Sequence, residues 1–356
     1  MSKEQSHRRV AYIDIAKGIG IILVILGHAF RDEMRMESNI CEFVYQAIYF
    51  FHMPLFFAIS GITLGLSYQK YLKEPKRFIL KRIQTQVVPV FTYATVIYIC
   101  FFVAYHIPML QQALSSTGYL MYSYPEYLKL TVLLENPYSI HLWYLCVVFI
   151  FTNIAFFLFR CCFDNKKIRV VFVVGAVVLY VFSVYAHLSV FFHTIFENLV
   201  YFAIGILMSS MQELIFKKNK FINMAMLAGW IFMLVYCGLY AARYEFKVLY
   251  WEFILNCFKL VANMGIIFSI LKLSDKLVNC KPILYCGKES YSIYLLHQPF
   301  CCGFVGVVLY NKLGFPVPVV YVLCCLLSIL LPAVAVAVCR KIKLVGKIGK
   351  SLFNIV

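Results

Sequence analysis

Long apolar stretches, separated by short polar and basic segments, follow one another along almost the whole chain. Ten of them reach the length of about 20 residues that a helix needs to cross the hydrocarbon core of a bilayer. They lie near 12–30, 42–66, 83–106, 140–160, 168–187, 194–211, 221–242, 249–271, 290–311 and 317–338. We therefore predict an all-α integral membrane protein, with about ten transmembrane helices in a single domain that covers residues 1–356.

The basic residues predict how this bundle is oriented. A composition of 63% hydrophobic and 14% charged residues excludes a soluble protein, so the net charge of +17 does not indicate a nucleic-acid partner. With a cytoplasmic N-terminus, 25 of the 33 Lys and Arg residues fall in cytoplasmic segments and six in outer ones, as the positive-inside rule requires. Both termini are therefore predicted to be cytoplasmic, and the first helix is read as an uncleaved signal anchor.

The cysteines do not indicate a metal site. There are 14 of them, and most lie inside apolar runs without the paired C-x-x-C spacing that zinc sites use. They are expected to act as small buried hydrophobic residues. No metal and no permanently bound cofactor is predicted.

The first helix carries three ionisable residues, Asp14, Lys17 and His28. Such residues are costly within a membrane, and they usually face a protein interior or a water-filled cavity. Asp14 and Lys17 are three residues apart and share a helix face. Lys17 and His28 are eleven apart, which returns to nearly the same face about 16 Å further along the axis. A snorkelling lysine and an interfacial histidine are the alternative interpretation.

Other polar residues fall within or at the ends of the later helices. Arg82 opens helix three, and Glu197 lies in the outer part of helix six, where a carboxylate must be paired, protonated or hydrated. The remaining candidates are His52 in helix two, His141 and Trp143 at the start of helix four, and His297 in helix nine. Each histidine has an alternative role as a hydrogen-bond partner between helices.

The longest connection predicted outside the membrane, 107–139, is rich in tyrosine. It holds Tyr119, Tyr122, Tyr124, Tyr127 and Tyr138. These side chains could form an interfacial aromatic belt, or their rings could stack on the faces of a sugar.

Four ordered motifs resemble the acyltransferase-3 family of integral membrane acyltransferases, close to the branch that is fucose 4-O-acetylase-like. The motifs are 14–21 with His28, 51–61, 141–145, and 287–297. In that family a basic residue, ten intervening residues and a histidine mark helix one, and Lys17 and His28 fit this signature. An arginine pair, R-x-x-R, often enters helix three; here Arg82 matches its first position, whereas Thr85 stands at the second.

The resemblance implies a single-module O-acyltransferase that transfers acetyl, or another acyl group, from cytoplasmic acyl-CoA to a sugar hydroxyl of a surface glycan or a lipid-linked sugar. His28 would accept the proton of that hydroxyl, or would itself carry the acyl group. Asp14 or Glu197 would orient its imidazole. Lys17 and Arg82 would meet the phosphates of the coenzyme.

The remaining candidates, His52, His141, Trp143 and His297, are expected to contact the substrate. The protein is expected in the bacterial inner membrane, as a multi-pass protein surrounded by lipid. A different function also fits the buried Asp, Glu and His residues, because a polysaccharide exporter or a flippase for a lipid-linked sugar could use them as a proton relay.

Overall fold

Ten apolar helices long enough to cross a membrane make up most of the computed structural model, which describes residues 3–108, 110–111, 120–162, 165–217, 219–243 and 249–354. We label them α1 to α10. They are Ala11–Ala29, Asn39–Tyr71, Pro75–Tyr105, Ile140–Cys161, Lys166–Tyr185, Val190–Ser209, Lys220–Ala241, Ile254–Lys276, Ser290–Tyr310 and Val317–Lys341. The described ranges contain no strand. The prediction of an all-α, multi-pass membrane protein is confirmed.

Shorter helices lie between the spans or after them. They are Asp32–Glu37, Tyr124–Val132, Gln212–Phe216, Lys281–Lys288 and Lys343–Ile348, the last followed by a π-helical turn at Gly349–Phe353. The helix of α1 itself begins outside the apolar span, at Lys3. Two of these pieces, Lys281–Lys288 and Gly349–Phe353, help to build the site described below.

The third span begins earlier than its hydropathy predicts. Its helix starts at Pro75 rather than near residue 83, and a π-helical turn at Ile83–Val87 joins the charged first part to the apolar part. Proline fits the first turn of a helix because its fixed φ is already helical and the N–H that it lacks would have no partner there. The basic residues of 76–82 therefore belong to a helix and not to a loop.

The second span packs very closely against the sixth. A Cβ atom on Gly61 would collide with the backbone carbonyl of Phe202, and one on Gly205 would collide with that of Ala58. Because lipid offers no hydrophobic drive for helix association, such close packing of small residues is a main source of attraction between spans. At these two glycines α2 and α6 therefore approach each other backbone to backbone.

A second close contact fixes the polar end of α1. A Cβ atom on Gly287, in the short helix Lys281–Lys288, would collide with the backbone of Asp14, and one on Gly18 would collide with that of Ile283. Glu289, which directly follows the short helix, is buried and accepts a hydrogen bond from Arg340 near the end of α10. The polar end of α1, which bears Lys17, therefore rests directly on this short helix.

The ninth span is interrupted. Its first part, Ser290–Leu296, is a regular helix, whereas Gln298 has extended dihedral angles, φ −122° and ψ 149°. His297 lies at this break. Irregular backbone at membrane depth is tolerated where it is buried in protein or lines a cavity, and His297 is fully buried.

The tyrosines of the connection 107–139 pack against one another and against α3. Tyr127 and Tyr138 are buried, and the rings of Tyr98 and Phe101 lie 5.1 Å and 4.8 Å from them, respectively. Burial raises the pKa of Tyr127 to about 12. These two rings are thus part of a packed cluster and not a platform for sugars. Tyr119 lies outside the described residues.

Candidate active site

A cavity of about 300 Å³ lies between α1, α2, α3, α4 and α9. Both Lys17 and His28 line it, as expected for residues on one face of α1 that is turned toward an interior. The two are about 16 Å apart along the helix axis, so the cavity follows α1 over that distance. Its other polar lining residues are Ser60, Thr63, Arg82, Thr85, Gln86, His141, Trp143, Tyr144, Thr152, Ser290, Tyr291, Tyr294 and Asn354.

The end of the cavity near Lys17 is positively charged. The Lys17 Nζ lies 3.3 Å from Asp14 Oδ1, so the predicted proximity of these two residues is found as an ion pair. Arg82 packs its guanidinium over the Phe78 ring, 5.0 Å from the centroid. Within the described ranges no carboxylate lies at ion-pair distance from Arg82. A half-buried cation without a counter-charge favours an anionic ligand.

The other end of the cavity holds His28. Its Nδ1 lies 3.3 Å from the hydroxyl oxygen of Tyr49, and the rings of Tyr49 and Tyr45 stack with centroids 4.2 Å apart. When Nδ1 carries the proton and donates it to Tyr49, the lone pair of a neutral imidazole is on Nε2. In that tautomer His28 is ready to accept a proton.

Two further histidines lie beside His28. The His297 ring is 5.3 Å from the ring of His28 and 5.8 Å from the ring of His141. Nδ1 of His297 donates to the backbone carbonyl of Tyr294 at 2.8 Å, and because a carbonyl can only accept, the lone pair of the neutral ring is on Nε2. The three imidazoles form a compact group, which we call the histidine cluster.

The Nε2 atoms of His141 and His297 are buried and have no hydrogen-bond partner in the described part of the chain. An unsatisfied buried polar atom costs roughly 1–3 kcal/mol, so two together are unusual. Such a cost is understandable where a substrate hydroxyl or water meets these atoms. Of the three rings, those of His28 and His141 line the cavity, whereas His297 is fully buried beside them and is not among the lining residues.

His52 supports the site from behind. Its Nδ1 donates to the carbonyl of Ile48 at 2.8 Å, and its ring packs edge-on against Tyr49, 4.9 Å away. It is not among the residues that line the cavity. The structure thus places His52 behind Tyr49, whereas Trp143, the other aromatic candidate, lines the cavity itself.

Glu197 is not brought to the cavity, which corrects the expectation that it orients His28. Its carboxylate lies 3.9 Å from the Nζ of Lys259 on α8 and 3.9 Å from the Nδ1 of His193, one turn away on α6. These neighbours explain how a carboxylate is tolerated within a span. Asp14 does not line the cavity either, and its observed role is to balance Lys17.

Sequence reasoning missed several residues that complete the cavity. The hydroxyl groups of Ser60 and Tyr144, on α2 and α4, are 2.7 Å apart, and the hydroxyl of Tyr294 donates to the carbonyl of His141. Tyr294 lies three residues before His297, within one of the motifs quoted above, so its helical spacing was an available signal. Ser60 and Tyr144 also lie within quoted motifs, 51–61 and 141–145, but helical spacing could not show that they pair, because the pairing joins distant parts of the chain.

Residues 10–337 match the family model for the acyltransferase domain of type 3. The chain therefore belongs to the acyltransferase-3 family. Nodulation protein NolL of Sinorhizobium fredii is 45% identical over 60 residues, which are 16% of this chain and 16% of that protein. The similarity to NolL is thus confined to a small part of both. No solved structure matches the chain.

The match covers the whole cavity except Asn354. Lys17, Arg82 and the histidine cluster therefore all belong to the part of the chain that is recognised as an acyltransferase. The resemblance to the acyltransferase-3 family is confirmed, and the fucose 4-O-acetylase-like branch stays a prediction.

Proposed function

We propose that this acyltransferase-3 protein transfers an acyl group, in the simplest case acetyl, from cytoplasmic acyl-CoA to a sugar hydroxyl of a surface glycan. The observation that carries the proposal is the single cavity that joins Lys17 and Arg82 to His28 and His141. A cationic end suits the phosphates of an acyl-CoA donor, and a histidine-lined interior suits proton transfer from the acceptor hydroxyl.

The donor would enter at the cationic end. Coenzyme A combines a highly charged nucleotide with a long, thin pantetheine arm, and the arm ends in the thioester. Charge-assisted hydrogen bonds from Arg82 and Lys17 would hold phosphate oxygens there. The arm would then extend along α1 for about 16 Å, the axial separation of Lys17 and His28, and would bring the thioester carbonyl to the histidine cluster.

The acceptor would meet the thioester at His28. The imidazole takes the proton of the sugar hydroxyl while the hydroxyl oxygen attacks the thioester carbonyl carbon. The carbon–sulfur bond then breaks, the new ester remains on the sugar, and the coenzyme thiolate leaves and takes up a proton. His141 lines the same cavity, and its buried Nε2, which has no hydrogen-bond partner in the described part of the chain, would contact a neighbouring hydroxyl of the acceptor.

Two variants of this reaction are distinguishable. In the direct variant His28 acts only as a base, whereas in the covalent variant its imidazole first carries the acyl group. A covalent intermediate would release free coenzyme A in one stoichiometric burst without any acceptor. Direct transfer would release it only when acceptor is added.

The function is tested with purified full-length protein in detergent, labelled acetyl-CoA and glycan from the source membrane. We expect label to move to the glycan, with equimolar release of free coenzyme A, and we expect the His28→Gln variant to show neither. An exporter or flippase would move glycan across vesicles of the protein without releasing coenzyme A. That result would reject acyl transfer.

A further inference from the structure

A second recess, of about 520 Å³, adjoins the cavity at its cationic end. Its lining comes from the first part of α3 and from the C-terminal tail: Arg77, Leu80, Lys81, Gln84, Thr85, Lys350 and Asn354. Thr85 and Asn354 line both the recess and the cavity. The two spaces are therefore direct neighbours, and one elongated molecule could occupy both.

The recess is strongly basic. Lys350, Lys81 and Arg77 line it, and none of its described lining residues is acidic. The guanidinium of Arg77 lies 2.9 Å from the exposed carboxylate of Glu74, and Lys81 donates to the hydroxyl of Tyr71 at 3.2 Å. In the described ranges no carboxylate is within ion-pair distance of Lys81 or Lys350. Three cations thus face one small volume, with a single anion at its edge.

The tail that carries Lys350 is held in place by packing. The Phe353 ring approaches the ring of Tyr93 on α3 edge-on, with centroids 6.5 Å apart, and packs with the aromatic cluster of that helix. Its neighbour Asn354 reaches the cavity lining. The family match ends at residue 337, so the residues that the tail contributes lie beyond it.

We propose that the recess binds the phosphate groups at the nucleotide end of the acyl-CoA donor, and that the tail, through Lys350, forms part of the donor site. The inference rests on the proposed function. With the thioester at the histidine cluster, the phosphates of the donor would remain at the mouth of the cavity, where Arg77, Lys81 and Lys350 surround the space next to it. Phosphate is the chemistry that such a group of cations recognises.

The test measures binding of coenzyme A to the purified full-length protein in an uncharged detergent by isothermal titration calorimetry. We expect Lys350→Ala and Lys81→Ala each to weaken binding roughly fivefold to tenfold, as for the loss of a partly exposed charge-assisted contact. Lys276→Ala removes an exposed lysine at the end of α8 that does not line the recess, and it should leave the affinity unchanged.

Pantetheine, which lacks the phosphate groups that the recess would hold, is the control ligand for coenzyme A. Its affinity should be the same for wild-type protein and for Lys350→Ala. Equal losses for coenzyme A and pantetheine would show a general disturbance of the mouth and would overturn the assignment.

Anionic lipid presents the same phosphate chemistry, and the same variants separate it. Unchanged coenzyme A affinity with weaker binding of phosphatidylglycerol in Lys350→Ala would make the recess a lipid headgroup site and overturn the proposal. Wild-type protein that binds no coenzyme A would reject the proposed function as well. If wild-type protein and both recess variants bind coenzyme A equally tightly, the assignment of the recess is rejected and the proposed function is unaffected.

Discussion

The imidazole rings of His28 and His297 lie 5.3 Å apart, although they come from α1 and α9 at opposite ends of the chain. His28 faces the cavity, and His297 lies at the point where the helix of α9 is interrupted. The pair joins α1, which carries the family signature, to α9, whose backbone is irregular next to His297. The two rings thus bring α1 and α9 together next to the residue at which the helix of α9 is interrupted.

His28→Gln should lower acyl transfer by at least about a hundredfold, the usual share of general base catalysis. Glutamine retains hydrogen-bonding capacity but cannot accept the proton of the acceptor hydroxyl. Rates are compared in membranes that hold equal amounts of protein. His106→Gln changes an exposed histidine just beyond α3 and should have no effect. A near wild-type rate for His28→Gln would contradict the assigned role.

His297→Asn tests the second histidine without removing its structural hydrogen bond. The asparagine amide can still donate to the Tyr294 carbonyl, but the variant has no counterpart of Nε2. We expect transfer to fall roughly tenfold to a hundredfold, with little change in the melting temperature. His52→Asn is the matched comparison, because His52 also donates to a backbone carbonyl but does not belong to the histidine cluster. Equal rates for the two variants would remove His297 from the reaction.

Arg82→Ala and Lys17→Ala should each raise the KM for acyl-CoA, while the amount of protein stays near normal. Loss of one charge-assisted hydrogen bond costs roughly 1.5–3 kcal/mol, which is about 10- to 100-fold. Arg160→Ala removes an exposed arginine near the end of α4 and serves as the control. If Arg82→Ala lowers only expression and leaves the donor KM unchanged, Arg82 determines topology instead.

Gly287→Ala should lower the melting temperature of the detergent-solubilised protein. The new methyl group would collide with the backbone of Asp14, and such overpacking costs about 1–3 kcal/mol or more. Gly238→Ala is the matched control on α7, where a Cβ meets no atom within 4 Å. It should be neutral or slightly stabilising, because alanine favours helix more than glycine does. Similar melting temperatures for both variants would refute the close contact.

The orientation can be tested with single added cysteines and a membrane-impermeant thiol reagent. Lys73→Cys and Ser351→Cys should react only after the cells are opened, since both positions are predicted to be cytoplasmic. Leu120→Cys, on the exposed part of the predicted outer connection, should react in intact cells. Wild-type protein supplies the background from the native cysteines. Reaction of Ser351→Cys in intact cells would reverse the orientation.

Hydropathy predicted the number and order of the spans because each is a long apolar run. It placed the start of the third helix too late, because the charged residues at 76–82 hide a helix that begins at Pro75. It also could not show that helix nine breaks at His297, since the proline that follows is compatible with a kink, a turn or a helix end. Helix ends depend on local packing that composition does not report.

The site was predictable where its residues share one helix. The spacing of Lys17 and His28 placed both on the face that lines the cavity, and the spacing of Asp14 and Lys17 predicted their ion pair. Glu197 could not be placed by depth alone, because depth does not say which neighbouring helix a side chain faces. The sequence also could not predict that Lys350 lines the recess, because its position follows from how the tail folds back onto α3.

The close contact between α2 and α6 has a consequence for which acyl groups the cavity can accept. Ser60 and Thr63, on the wall that α2 provides, flank Gly61, whose backbone already touches that of α6. Outward movement of this wall toward α6 would bring the two backbones into collision. The length of the acyl group would be limited on this side by the short distance between the backbones of α2 and α6. A smaller side chain in the cavity would enlarge the cavity but would leave that distance unchanged.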